Sequence, residues 1–96
     1  MASDIIIIDM HAHLAIADYF IICSAQSERQ AIAISEHVRD ELARNGIKPI
    51  GIEGVRYGRW IVMDYNDVVL HIFLEPIRRF YDLESLWSDT ERAAVE

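Results

Sequence analysis

The sequence predicts an α/β fold of the α+β kind, a mixed five-stranded sheet flanked by helices, and three features carry that expectation. Residues 60–64 and 68–73 are rich in β-branched and aromatic side chains and flank the polar triplet Tyr65-Asn66-Asp67, which is the pattern of a β-hairpin. From Ser27 onward, apolar residues recur at intervals of three and four, the period of an amphipathic helix. The resulting order of strand, strand, helix, strand, strand, strand has too few helices for a doubly wound sheet and implies mixed pairing.

The elements follow in order along the chain. Asp4 opens a first strand, Ile5-Ile6-Ile7-Ile8, whose unbroken apolar run predicts a mid-sheet position covered on both sides. Asp9-Met10-His11-Ala12-His13 then sets two imidazoles at i and i+2. That spacing can share a metal, but no third or fourth ligand accompanies it, so these read as loop histidines and no metal is expected. Asp18 precedes a second apolar strand over residues 19–25. Ser27 is a good N-cap, and Gln30 three positions later completes a capping-box pattern, so a helix starts here. Ala31, Ile34, Val38 and Leu42 form its sheet-facing stripe, Arg29, Glu36, Arg39 and Asp40 lie largely outside it, and His37 reads as a surface residue. Gly46 suits a left-handed C-cap.

A short third strand is expected over residues 48–53, followed by a loop bracketed by Gly54 and Gly58. Arg56 and Arg59 place positive charge in that loop beside Trp60, either solvated, facing an acidic group on a partner, or orienting Asp64. After the hairpin, Glu75-Pro76 marks a helical turn, because proline is tolerated where no amide donor is needed. Ile77, Phe80 and Tyr81 can pack inward from it, and Asp82 can cap a second short turn carrying Leu83, Leu86 and Trp87. Residues 88–96 are polar enough to predict a frayed tail, so a single domain is expected over 1–96 with its core in 4–87.

Strand parity separates the two faces of the hairpin. With Asn66 and Asp67 as a two-residue loop, Tyr65 pairs with Val68, Met63 with Leu70 and Ile61 with Ile72, giving an apolar core face. Trp60, Val62, Asp64, Val69, His71 and Phe73 fall on the other face, where a carboxylate and an imidazole sit among large apolar groups. Such a mixture suits a partner-binding surface. The competing reading is that helices elsewhere in the domain cover this face and leave Asp64 and His71 at a wet rim. A three-residue loop would slip the register and mix the faces.

Composition bounds what the chain can do. At 96 residues, with 52% apolar and 26% charged side chains, it has an ordinary globular make-up and room for one core. The longest apolar runs are strand-length, no signal-peptide pattern precedes them, and the single Cys23 cannot form an internal disulfide, so a cytoplasmic location is expected. Sixteen acidic against nine basic residues leave a net charge of −7, which repels phosphate backbones and argues against extensive nucleic-acid binding. The same charge favours a basic protein partner, or simply maintains solubility.

Several motifs together resemble the ribosomal silencing factor (RsfS, or Iojap-like) family. They are Asp18-Tyr19-Phe20-Ile21-Ile22, Ser27-Glu28-Arg29-Gln30, Glu53-Gly54, Trp60, Asp64-Tyr65-Asn66-Asp67-Val68-Val69-Leu70-His71-Ile72-Phe73 and Tyr81-Asp82-Leu83-Glu84-Ser85-Leu86-Trp87. Asn66 stands where the family usually has Gly, a conservative exchange because both accept the left-handed region. Members generally begin with a helix of roughly five turns, whereas only Met1-Ala2-Ser3 precedes the first strand here, so either that helix is absent or the chain is a shortened version.

The resemblance implies a nucleotidyltransferase-like topology without the chemistry. Ser24-Ala25-Gln26-Ser27 contains no glycine to admit a triphosphate, no strand carries a paired carboxylate motif for magnesium, and nothing pairs Cys23 with a histidine, so no enzyme activity and no cofactor are expected. It further implies binding to the large ribosomal subunit through ribosomal protein fourteen, steric blocking of small-subunit joining, and repression of translation under nutrient limitation. On that reading Trp60 is the anchor, Val62, Val69, His71 and Phe73 its surround, and Asp64 and Asp67 the acidic rim. The four histidines, His71 above all, can make binding sensitive near neutral pH. An alternative of a different class is a homodimeric structural or regulatory module that uses the same hairpin face.

Overall fold

A computed structural model of the chain describes residues 3–10, 17–77 and 92–95. The strands are β1 (Ser3–Asp9), β2 (Tyr19–Ala25), β3 (Gly51–Glu53), β4 (Trp60–Asp64), β5 (Val68–Leu74) and β6 (Arg92–Val95), with one long helix, α1 (Glu28–Arg44), between β2 and β3. They form a sheet in the order β3-β4-β5-β2-β1-β6. β2 and β5 run parallel and every other neighbouring pair is antiparallel, so the sheet is mixed, as expected.

All five expected strands are present, and β6 is an addition. Within the stretch expected to fray, residues 92–95 instead pair with β1, setting Ile5 opposite Val95 and Ile8 opposite Arg92. The polar reading of residues 88–96 passed over Ala93-Ala94-Val95, and the outer edge of β1 offers a row of backbone donors and acceptors that a strand can satisfy. With β6 in place β1 lies inside the sheet, although only Ile8 of its isoleucines is fully buried. β3 is shorter than expected: Pro49 has no amide to give to a ladder, and pairing starts at Gly51.

The ends of α1 follow from its caps. Ser27 is extended, and its hydroxyl accepts the Gln30 amide at 3.0 Å; the Gln30 side chain closes back on the Gln26 amide at 2.7 Å rather than on that of Ser27. At the other end Gly46 takes φ +76°, so its amide reaches the Ala43 carbonyl and that of Ile47 reaches Leu42, a Schellman arrangement. Ala31 and Ile34 are buried, and Val38 and Leu42 half-buried, along the expected stripe. Ser35 is buried too and escaped the stripe, because its hydroxyl satisfies itself on the Ile32 carbonyl at 2.7 Å.

The sheet carries a core on each side. On the α1 side, Cys23, Ala25, Ile61, Met63 and Ile72 pack with Ala31 and Ile34. On the other, Ile8, Met10, Ile22 and Phe73 pack with Ile6, Phe20, Trp60 and Ile77. Residues 75–77 are helical, where Pro76 announces a turn. The second turn expected from Asp82, with Leu83, Leu86 and Trp87, and the histidines at 11 and 13, lie outside the described residues. No described helix is long and apolar enough to cross a membrane.

Candidate partner-binding face

The β4–β5 hairpin closes as its parity predicts. The Tyr65 amide bonds to the Val68 carbonyl at 2.9 Å, Asn66 occupies the left-handed region at φ 75°, and Met63 faces Leu70 while Ile61 faces Ile72. Asp64 reinforces the turn, its carboxylate accepting the Asn66 amide at 2.8 Å. Asp67 is exposed, and its carbonyl accepts the amides of Asp18 and Tyr19 at 2.8 and 3.1 Å, which ties the turn to the start of β2.

Trp60, Val62, Asp64, Val69, His71 and Phe73 therefore share the face away from α1, as the alternation requires. They do not share an environment. Trp60, Val62 and Asp64 are half-buried, whereas Val69, His71 and Phe73 retain only 6%, 8% and 0% of their surface. The cause is β2: its parallel pairing sets Phe20 beside Val69, Ile22 beside His71 and Ser24 beside Phe73, so a second strand's side chains fill the same layer. The expectation that Val69, His71 and Phe73 surround Trp60 at the surface is corrected to a buried floor beneath it. His71 is not at a wet rim either.

The rings of this floor are close. Trp60 stacks on Phe73 with centroids 4.9 Å apart, His71 lies 4.8 Å from Phe20, and His71 and Phe73 are nearly coplanar in orientation at 6.1 Å. The Trp60 indole Nε1–H donates to His71 Nδ1 at 3.1 Å. His71 Nε2 is buried with no hydrogen-bond partner. Burial among aromatic rings lowers the His71 pKa from 6.5 to about 4, so the imidazole is neutral near pH 7 and its proton sits on Nε2, away from the Trp60 bond.

The loop ahead of β4 holds Trp60 from the other side. Gly54 has φ +86°, and a Cβ there would run into the Trp60 carbonyl. The Arg59 carbonyl accepts the Leu74 amide at 2.8 Å, and its guanidinium pairs with Glu28 at the start of α1 at 3.0 Å, neither orienting Asp64 nor standing as a bare solvated charge. Arg56 lies over the Tyr57 ring, 5.7 Å from its centroid, and Tyr57 is 63% exposed. An open depression of about 320 Å³ lies between Gly54, Tyr57, Arg59 and Trp60. Another of about 400 Å³ lies beside Val62 and Asp64, bounded by Ile50, Gly51 and Glu53.

Cys23 pairs in register with Ile72 and lies in the α1-side core, so the sheet separates its thiol from the His71 imidazole. Among the described residues no group of three His, Cys, Asp or Glu converges on a metal position. Phe20 and the Trp60–His71 bond are the features that sequence reading missed. The alternation Phe20, Ile22, Ser24 was a usable signal for the first, but only once β2 was known to lie beside β5.

The sequence profile of the family described as "ribosomal silencing factor during starvation" matches residues 1–96. A Bacillus subtilis protein named ribosomal silencing factor RsfS is 39% identical over 95 residues, spanning 99% of this chain and 80% of that protein. A crystal structure of a Chromobacterium violaceum protein superposes with a TM-score of 0.87 at 33% identity, covering 91% of this chain and 72% of the other. One from Bacillus halodurans gives 0.81 at 33% identity, covering 99% and 84% respectively.

Proposed function

Because the chain belongs to the ribosomal silencing factor (RsfS) family, we propose that it binds the large ribosomal subunit through ribosomal protein fourteen and sterically blocks joining of the small subunit. The family is named for a silencing role, not for a reaction. On this reading the protein works in the cytoplasm and represses translation when nutrients are scarce, with no bond made or broken. Subunits held apart cannot form initiation complexes.

The observation that carries the reading is the placement of Trp60. Its ring is half-buried, backed by Phe73 and His71, and borders an open depression, which is how an interface anchor is presented. Val62 and the half-buried Asp64 extend the contact along β4, and Asp67 adds charge at the hairpin tip. Val69, His71 and Phe73 act from below, as rigid support. A net charge of −7 favours a basic protein surface over the phosphates around it.

The test is co-sedimentation with purified large subunits, comparing the chain with Trp60→Ala and scoring whether added small subunits still join. Truncating a central aromatic anchor is expected to cost about 2 kcal/mol or more, roughly thirtyfold in affinity, and to restore joining. Unchanged binding by the Trp60→Ala chain would remove Trp60 from the interface, and binding without any effect on joining would remove the mechanism.

A further inference from the structure

A histidine is an expensive choice for the floor beneath Trp60. Phe20, Phe73 and the indole itself surround the His71 ring, so a phenylalanine or leucine would meet the same neighbours without a polar atom. Instead Nε2 is left buried and unbonded, a situation that costs stability. Groups kept at such a cost commonly serve function rather than stability.

What the imidazole supplies is an acceptor. Stacking on Phe73 sets the plane of the Trp60 ring, but a stack is nearly indifferent to which indole edge points inward, and the torsion between Cβ and an aromatic ring is broad and roughly two-fold. A hydrogen bond from Nε1–H selects one edge. From this we infer that His71 is a positioning residue: its Nδ1 holds the Trp60 indole in one orientation, so that the ring is pre-organised for the partner. The inference deepens the docking reading above and rests on it. Its energetic logic is that a side chain already fixed in its bound rotamer loses less entropy on association.

The register shows why this position can do it. Trp60 lies opposite Phe73 and His71 opposite Val62, so the indole reaches His71 along the diagonal of the β4–β5 ladder, with ring centroids 6.1 Å apart. Asparagine at position 71 carries its Oδ1 near where Nδ1 stands, and so retains an acceptor. Phenylalanine and leucine do not.

The experiment uses the whole chain, labelled with ¹⁵N, as wild type and as His71→Phe, His71→Leu and His71→Asn. Hydrogen exchange of the Trp60 indole N–H, assigned by its loss in Trp60→Phe, is read beside thermal stability and affinity for purified large subunits. Folded Phe or Leu variants are expected to exchange the indole proton about tenfold faster and to bind about fivefold more weakly, the worth of one modest hydrogen bond. His71→Asn is expected to restore both to within about twofold of wild type. Unchanged exchange in the Phe and Leu variants overturns the positioning role, and so does faster exchange with full affinity. Equal loss of affinity in the Asn variant despite a protected indole overturns it as well. If the wild-type chain itself fails to bind subunits, the docking reading falls, and the exchange measurements alone decide whether His71 orients Trp60.

Discussion

His71 couples the stability of this domain to pH. Burial among Phe20, Trp60 and Phe73 lowers its pKa from 6.5 to about 4, so the folded protein resists protonating it while the unfolded chain takes up a proton near 6.5. Between those values the unfolded state binds more protons, so stability falls as pH falls through that window and is fully present above it. The gap corresponds to about 3 kcal/mol. Urea unfolding at pH 7.5, 6 and 5 is expected to show about 2 kcal/mol of this loss by pH 5 in wild type, the remainder coming as pH falls to about 4, and a flatter dependence in His71→Phe; parallel slopes would show that other groups carry the pH response. The sequence displayed His71 on the mixed face and hinted at pH sensitivity near neutrality. In the folded protein, the form that binds, burial moves that titration down to about 4.

Within single elements, local chemistry made most of the structure legible. Asn66 chose the two-residue loop, and with the loop settled the alternation of residues 60–73 followed in both faces and in register. Ser27 and Gly46 set the ends of α1 by hydrogen bonds reaching only a few residues. The glycines offer a test of how much each local rule weighs. Gly46 and Gly54 share positive φ, at +76° and +86°, but a Cβ at Gly46 meets nothing within 4 Å while one at Gly54 meets the Trp60 carbonyl. Gly46→Ala is therefore expected to cost only the backbone penalty, about 1 kcal/mol, and to leave subunit binding unchanged. Gly54→Ala adds a clash and is expected to cost about 2 kcal/mol or more, and to weaken binding by displacing Trp60. Chemical denaturation of both variants, with co-sedimentation, checks the contrast; equal losses would mean that the steric contact relaxes freely.

At the scale of the whole molecule, the sheet edges carry the consequences. β3 is a three-residue edge strand, too short to invite much pairing, whereas β1 is seven residues long and its outer edge is covered by β6. A chain ending at residue 91 is expected to leave that edge open and to associate at concentrations where the full chain does not, as read by light scattering across a dilution series. Equal behaviour of the two chains would show that β6 does not protect the edge.

By itself, the sequence determined the element order from β1 to β5, the caps of α1, the two faces of the hairpin and membership of a ribosomal silencing family, because each depends on contacts between near neighbours or on motifs read in a line. The tertiary structure alone decided that Val69, His71 and Phe73 are buried, that His71 bonds to Trp60, and that residues 92–95 form a strand. Alternation says which face a side chain takes but not what lies against that face. That depends on β2 running parallel beside β5, with α1, β3 and β4 between them in the chain, and on β6 finding the open edge of β1, pairings between segments far apart in the chain whose partners no local pattern specifies.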